Sequence, residues 1–302
     1  MSPIKRVLLI IALTMMWSPS FLFIKLALHD LPPLTIVSLR VTLAAIILGI
    51  VLLYLRRGFP KDLKFWFRTS MMAFLSSALP FSLFCYAEQS IDSSLAAILN
   101  GTTPMFTALL AQIFVASDKM SFQKAIGITL SGVGVILLFA PKLIEGMSGT
   151  SLGMMAAMLA AFSYSMSHVY GKLFTVGQKQ FVAPAAQFMV NALMIWPFAF
   201  WYEDVWNLPM PSLLAIGGVC GLAVFGTVFA YIIYYKLLDH CGPTAISMVA
   251  CFFPVVGMLL GFIFLGETFT LLGLTAAGMI LLGMLIVNGV INFDAKTVRE
   301  YG

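Results

Sequence analysis

Ten runs of this sequence are apolar for long enough to cross a lipid bilayer, and little chain is left between them. A hydrocarbon core roughly 30 Å thick takes about 20 residues of helix. By that measure the candidate spans are Val7–Ala27, Pro33–Leu55, Phe67–Ala87, Ser93–Val115, Phe122–Phe139, Ser151–Leu173, Phe181–Trp201, Ser212–Lys236, Pro243–Leu265 and Thr270–Ile291. Short turns such as His29-Asp30-Leu31-Pro32 and Gly58-Phe59-Pro60 join them. Charged residues make up only 10% of the chain and apolar ones 61%, with a mean hydropathy of +1.01. A soluble fold needs roughly a quarter charged residues to face water. Twelve acids and seventeen bases cannot supply that surface, so the expected fold is an all-α membrane protein. A large soluble catalytic domain and an oxidised extracellular domain are excluded. The net charge of +5 is spread too thinly to bind nucleic acid. Cys85, Cys220, Cys241 and Cys251 show no metal-ligand spacing and read as small buried hydrophobes; no metal or cofactor is expected. Lys5-Arg6 and the apolar run behind them resemble a signal peptide, but the run is long enough to span and reads as a retained first helix.

Charge placement orients the chain. If the loops alternate from a cytoplasmic amino end, that side holds 14 of the 17 bases, among them Arg56, Arg57, Lys61, Lys64, Lys119, Lys179, Lys296 and Arg299. Only Lys25, Arg40 and Lys142 fall on the other side. The positive-inside rule therefore puts both termini in the cytoplasm. The sequence also repeats itself. Shifts of 147 to 151 residues bring Trp17-Ser18 onto Tyr164-Ser165, Lys25 onto Lys172, Pro33 onto Pro184 and Arg40 onto Asn191. They also bring Pro104 onto Pro254 and Gly127, Gly132 onto Gly278, Gly283. The division is a first five-helix repeat over 1–146, a second over 147–292 and a cytoplasmic tail over 293–302. Five spans is an odd number, so the second repeat enters the membrane inverted. Inverted repeats mark transporters that work by alternating access around a midplane site.

Particular residues carry a family resemblance. The second half has Pro254 in the ninth span, Gly266-Glu267-Thr268-Phe269-Thr270 at its exit, and Gly278 and Gly283 in the tenth. The first half has Trp17 with Lys25, Pro33 with Arg40, and Ser93-Ser94-Leu95-Ala96-Ala97-Ile98-Leu99 leading to Pro104, though Ser117-Asp118 stands where the second half has Gly266-Glu267. Over essentially its whole length the chain resembles the EamA family of the drug/metabolite transporter superfamily. That resemblance implies a multi-pass protein of the bacterial inner membrane that exports amino acids, related metabolites or drugs.

Polar residues at depth are the informative ones, because each needs a partner there. Helical spacing puts Thr14, Trp17, Ser18, Phe21 and Lys25 on one face of the first span. Tyr164, Ser167 and His168 repeat this in the sixth. Asn100, Thr103 and Thr107 come from the fourth span, and Thr227, Tyr231, Tyr234 and Tyr235 from the eighth. The hydroxyls suit bonds within their own helix or between helices. Trp17, Asn100, Tyr164, His168, Tyr231 and Tyr235 are the candidates for a substrate cavity, with Trp17 and Tyr164 on opposite walls. Pro104 and Pro254 are candidate hinges, since each removes a helix hydrogen bond. Lys25, Arg40 and Glu88 read as structural or gating charges. Glu88 and Asp92 are placed to pair with Arg40, which would otherwise anchor a substrate carboxylate, and Lys25 can snorkel. Glu267 suits the start of the tenth span.

No acid lies at mid-depth, which disfavours an antiporter built on a buried glutamate, and no deep pair of bases awaits a phosphate. The expected partners are the lipid bilayer and a neutral, zwitterionic or amphiphilic small molecule, with the protein a monomer or weak oligomer. Two other readings stand beside the exporter: a channel-like uniporter, and an intramembrane enzyme, for which no HExxH or paired deep aspartates are present. The orientation is testable. Single cysteines at Glu145 and Asp204 should react with an impermeant thiol reagent added outside, whereas those at Lys61 and Lys179 should not. The reverse pattern overturns the orientation.

Overall fold

The computed structural model describes residues 3–115, 120–144, 148–174, 181–237, 249–250 and 252–291. The sequence features at Ser117, Asp118, Lys119, Glu145, Lys179, Cys241, Pro243, Cys251, Lys296 and Arg299, the 146/147 repeat boundary and the tail lie outside them. Among the described residues the chain is helical and has no strand. Eight helices are long and apolar enough to cross a membrane: α1 (Ile4–Ala27), α2 (Pro33–Tyr54), α3 (Leu63–Ala87), α4 (Ser93–Phe114), α5 (Phe122–Pro141), α6 (Gly149–Phe174), α7 (Val182–Tyr202) and α8 (Leu213–Leu237). Two shorter apolar helices follow, α9 (Phe253–Leu265) and α10 (Leu271–Val287). Large apolar side chains such as Leu53, Ile113, Leu193 and Phe262 stay exposed on the outside, as a lipid-facing surface requires.

Several helices depart from regular geometry, and prolines explain part of this. α1 is interrupted after Trp17 and resumes at Ser20, with Pro19 capping the second piece. α4 is likewise two pieces, Ser93–Asn100 and Thr103–Phe114, with Pro104 in the first turn of the second. Pro254 takes the corresponding place in the first turn of α9. A proline has no N–H to donate, so a first turn is where it costs least. α3 and α8 each contain a π-helical turn, at Phe74–Ala78 and at Val224–Phe229. These start 150 residues apart, the same offset as Pro104 and Pro254. The wider turn shifts the hydrogen-bond register and changes which backbone groups face a neighbour.

The helix pairs in most extensive contact follow the duplication. They are α5 with α10, α2 with α7, α3 with α6, α9 with α4 and α1 with α8. Each joins a helix of one repeat to a helix of the other. Three of them pair repeat-equivalent helices, and the remaining two exchange under the same operation. The closest approach is between α5 and α10. A Cβ on Gly283 would strike Ser131 and the Gly127 carbonyl, and one on Gly127 would come within 2.6 Å of the Gly283 carbonyl. Gly132 and Gly278, their partners in the sequence repeat, face open space. Helices without a hydrophobic driving force between them associate through such small-residue contacts. Gly283→Ala should therefore cost about 1–3 kcal/mol by overpacking, whereas Gly132→Ala should be tolerated. Melting curves in detergent check this; equal melting points for the two variants would place the α5–α10 contact elsewhere.

Candidate functional site

A cavity lined by side chains of both repeats lies between them. α1 lines it with Trp17, Phe21 and Ile24, α2 with Arg40, α3 with Phe81 and Phe84, and α4 with Asn100 and Thr103. The second repeat adds Tyr164, Ser167 and His168 from α6, Tyr231 and Tyr234 from α8, and Phe253 from α9. The aromatic rings form a connected array. Trp17 packs on Tyr231, Tyr234 and Phe253 with centroids 5.9, 5.8 and 6.4 Å away. Phe21 links Phe253 to Phe84, and Phe84 stacks on Tyr164 at 6.1 Å.

The two π turns hold the polar part of the wall in place. Arg40 Nε donates to Thr227 Oγ1 at 2.8 Å and its Nη2 to the Gly226 carbonyl at 3.2 Å, both in the π turn of α8. The guanidinium lies over the Phe81 ring, 3.6 Å from its centroid. The π turn of α3 receives the counterpart from α7. Gln187 Nε2 donates to Ser76 Oγ and Ser77 Oγ, both at 2.8 Å. Tyr231 Oη donates to the Ser76 carbonyl at 3.1 Å, and Tyr235 Oη to Gln187 Oε1 at 3.1 Å. Thus α2 is braced to α8 and α7 to α3, as the two-repeat architecture relates them.

At the end of the bundle that carries the α1–α2, α3–α4, α7–α8 and α9–α10 loops, charged side chains cap helix termini across the repeats. Glu267 Oε1 accepts from Ser93 N and Ser93 Oγ at 2.8 and 2.7 Å, and its Oε2 from Ser94 N at 3.0 Å, at the start of α4. Glu203 caps α2 in the same way through Leu34 N, Thr35 N and Thr35 Oγ1, at 2.7 to 2.9 Å. Asp30 accepts from Ser212 N at 2.8 Å, at the start of α8. Hydrogen bonding from the Ser212 side chain, then from His29 and the Ser212 backbone, lowers the Asp30 carboxyl to about 2. Lys25 does the complementary job. Its Nζ donates to the Glu88 and Ile91 carbonyls at 2.7 and 2.8 Å, at the carboxyl end of α3. Anions sit on helix N-termini and the cation on a C-terminus, which is the sense the helix dipole favours. Gly266 makes the Glu267 contact attainable. It ends α9 in the left-handed region at φ +66°, which turns the chain back so that Glu267 N meets the Gly261 carbonyl.

The EamA-like transporter family matches the chain twice, over residues 4–140 and 151–289. The chain belongs to the EamA-like transporter family. It is similar to the uncharacterized transporter YoaV of Bacillus subtilis, with 24% identity over 89% of this chain and 91% of that protein. The uncharacterized inner membrane transporter YedA of Escherichia coli is 26% identical over 95% of this chain and 92% of that protein. A probable amino-acid metabolite efflux pump of Salmonella typhimurium is 25% identical over 92% and 93%. A crystal structure with 14% identity covers 95% of this chain and 98% of its own at a TM-score of 0.69, a likeness of fold. This EamA chain is therefore a multi-pass membrane transporter.

The structure brings most of the sequence candidates together. Trp17, Asn100, Tyr164, His168 and Tyr231 all line the cavity. Tyr231 packs against Trp17 on the same wall. Tyr235 does not line it; it is buried behind the wall, bonded to Gln187. One helical residue past Tyr234 turns the ring by about 100°, away from the space. Glu88 does not pair with Arg40, and both of its carboxylate oxygens are buried without a hydrogen-bond partner. Lys25 caps α3 instead of snorkelling, and Glu267 serves α4 instead of α10, where Thr270 is the cap. Among the hydroxyls, Thr14, Ser167 and Thr107 bond their own helices. Sequence reasoning missed Phe81, Phe84 and Phe253, because a phenylalanine in an apolar run looks the same facing lipid or cavity. It also missed Gln187 and the Ser76-Ser77 pair, although a deep amide was a usable signal.

The two buried glutamates should respond oppositely to neutralisation. Glu267→Gln places an amide against N–H donors and should cost about 2 kcal/mol. Burial pushes the Glu88 carboxyl well above the usual carboxylate range; Lys25 opposes this and Glu267 adds to it. A raised acid costs nothing below its unfolded value and destabilises the fold as pH rises past that value. Glu88→Gln should therefore melt at or above the unsubstituted protein, with the advantage growing from pH 5 to pH 8. A lower melting point for Glu88→Gln at pH 8 would show that the charged form has a partner.

Proposed function

We propose that this EamA transporter is an alternating-access exporter of small neutral, zwitterionic or amphiphilic metabolites. On this reading the ten apolar helices all span the bacterial inner membrane, as two inverted repeats with both termini in the cytoplasm. The observation that carries it is a cavity built by both repeats, with equivalent elements on either side. A site on a pseudo-symmetry axis can be exposed to one face and then the other when the repeats rock. The break before Pro104, the first turn of α9 at Pro254 and the two π turns supply bending points next to the cavity. The caps at Asp30, Glu203 and Glu267 would form the outer latch, because the base distribution puts that end outside. The relatives named as an inner membrane transporter and as an amino-acid metabolite efflux pump support the location and the direction. Membership of a transporter family and relatives named as transporters also support a carrier over an enzyme.

Counterflow in proteoliposomes tests the proposal. Preloading with an unlabelled amino acid or aromatic metabolite that binds should drive saturable uptake of the labelled compound against its gradient. Trp17→Ala and Tyr164→Ala should each weaken affinity at least several-fold, because each removes a large aromatic surface from the cavity. Linear, non-saturating flux without counterflow would make the protein a channel. Unchanged affinity in both folded variants would move the site off these rings.

A further inference from the structure

Arg40 is an unusual wall for such a cavity. It is 3% exposed and held among helices, yet it has no acidic partner. Among the described residues no acid is in ion-pair contact with it. Glu203 and Glu267 are committed to helix termini, and Glu88 does not contact the guanidinium. A guanidinium keeps its charge in proteins, so burial does not dispose of it by neutralisation. An uncompensated charge in a low-dielectric interior is costly unless something pairs with it. The two bonds to Thr227 and Gly226 use neutral acceptors and leave three of the five guanidinium N–H groups uncommitted. Those bonds and the Phe81 ring fix the plane of the fork, and the residue itself lines the cavity.

We infer that Arg40 is the anion anchor of the transport site and that the favoured substrates carry a single carboxylate on an apolar or aromatic body. This rests on the carrier reading above and sharpens it. A planar fork matches a carboxylate in two-point contact. One guanidinium balances one negative charge, and neither a lysine nor a second arginine is among the described lining residues, so doubly charged phosphates are disfavoured. No carboxylate lines it either, so a purely cationic amine meets repulsion from Arg40 without an ion-pair partner. The remaining wall (Trp17, Phe21, Phe84, Tyr164, Tyr231) suits an aryl or branched aliphatic group. An α-ammonium is tolerated beside the carboxylate, because aromatic faces attract cations.

Three ligands of one shape test the anchor by isothermal titration to the purified full-length protein: 3-phenylpropanoate, 3-phenylpropanamide and 3-phenylpropylamine. The carboxylate should bind on the order of tenfold or more tighter than the amide, the ratio expected for one charge-assisted contact. The amine should bind weakest. Arg40→Met should abolish the carboxylate preference while leaving amide affinity within a few-fold. Arg40→Lys keeps the charge and should retain part of the preference; it also serves if the methionine variant does not fold. Amide binding as tight as carboxylate binding, no saturable binding of the carboxylate, or an unchanged ratio in a folded Arg40→Met each overturn the inference. Counterflow separates the two claims. A carboxylate preference without counterflow leaves the anchor standing and removes the carrier. Counterflow of an uncharged or cationic compound without that preference keeps the carrier and removes the anchor.

Discussion

A bilayer interior offers no water to a polar group, so every donor and acceptor must be satisfied inside the protein or left at a cost. The architecture is organised around that constraint. Regular helices settle their own backbone, but the places where regularity fails are where the two repeats join. The π turns of α3 and α8 present hydroxyls and a carbonyl to the side, and Gln187 and Arg40 reach across from α7 and α2 to meet them. The same bonds set the positions of Tyr231 and Arg40 on the cavity wall, so the helix irregularities and the site are one feature.

The second consequence appears at the helix ends. A terminus leaves several backbone groups unpaired, and near the membrane boundary side chains can take them up. Glu267, Glu203, Asp30 and Lys25 do so, and the three carboxylates each cap a helix of the opposite repeat. Such charge-assisted contacts are strong when made and costly to leave half-made. Glu88 stands apart. It is as buried as Glu267 but has no donor, so burial alone does not make a carboxylate structural.

Family membership and the cavity fit each other. The two matched ranges, 4–140 and 151–289, correspond to the halves whose helices pair across the molecule, and each contributes rings to the same space. The relatives match at 24–26% identity over nearly the full length. Arg40 and its counterpart in the sequence repeat, Asn191, are both buried, and both amide atoms of Asn191 are unpartnered.

The sequence by itself determined the solvent, the helices and the duplication. Apolar runs of membrane length, scarce charge and matched prolines are linear patterns, and lipid leaves the backbone few alternatives to helix. It also pointed to Trp17, Asn100, Tyr164, His168 and Tyr231, because large polar groups at depth are visible as exceptions in an apolar run. Only the tertiary structure decided which way neighbouring side chains turn. Tyr234 faces the cavity and Tyr235 faces Gln187, although they are adjacent in the sequence. Arg40 meets a π turn 186 residues away and not the acids Glu88 and Asp92. Phe81, Phe84 and Phe253 became site residues through packing alone. The reason is that side-chain partners here are set by the register between repeats, a property of two helices in contact that neither segment carries alone.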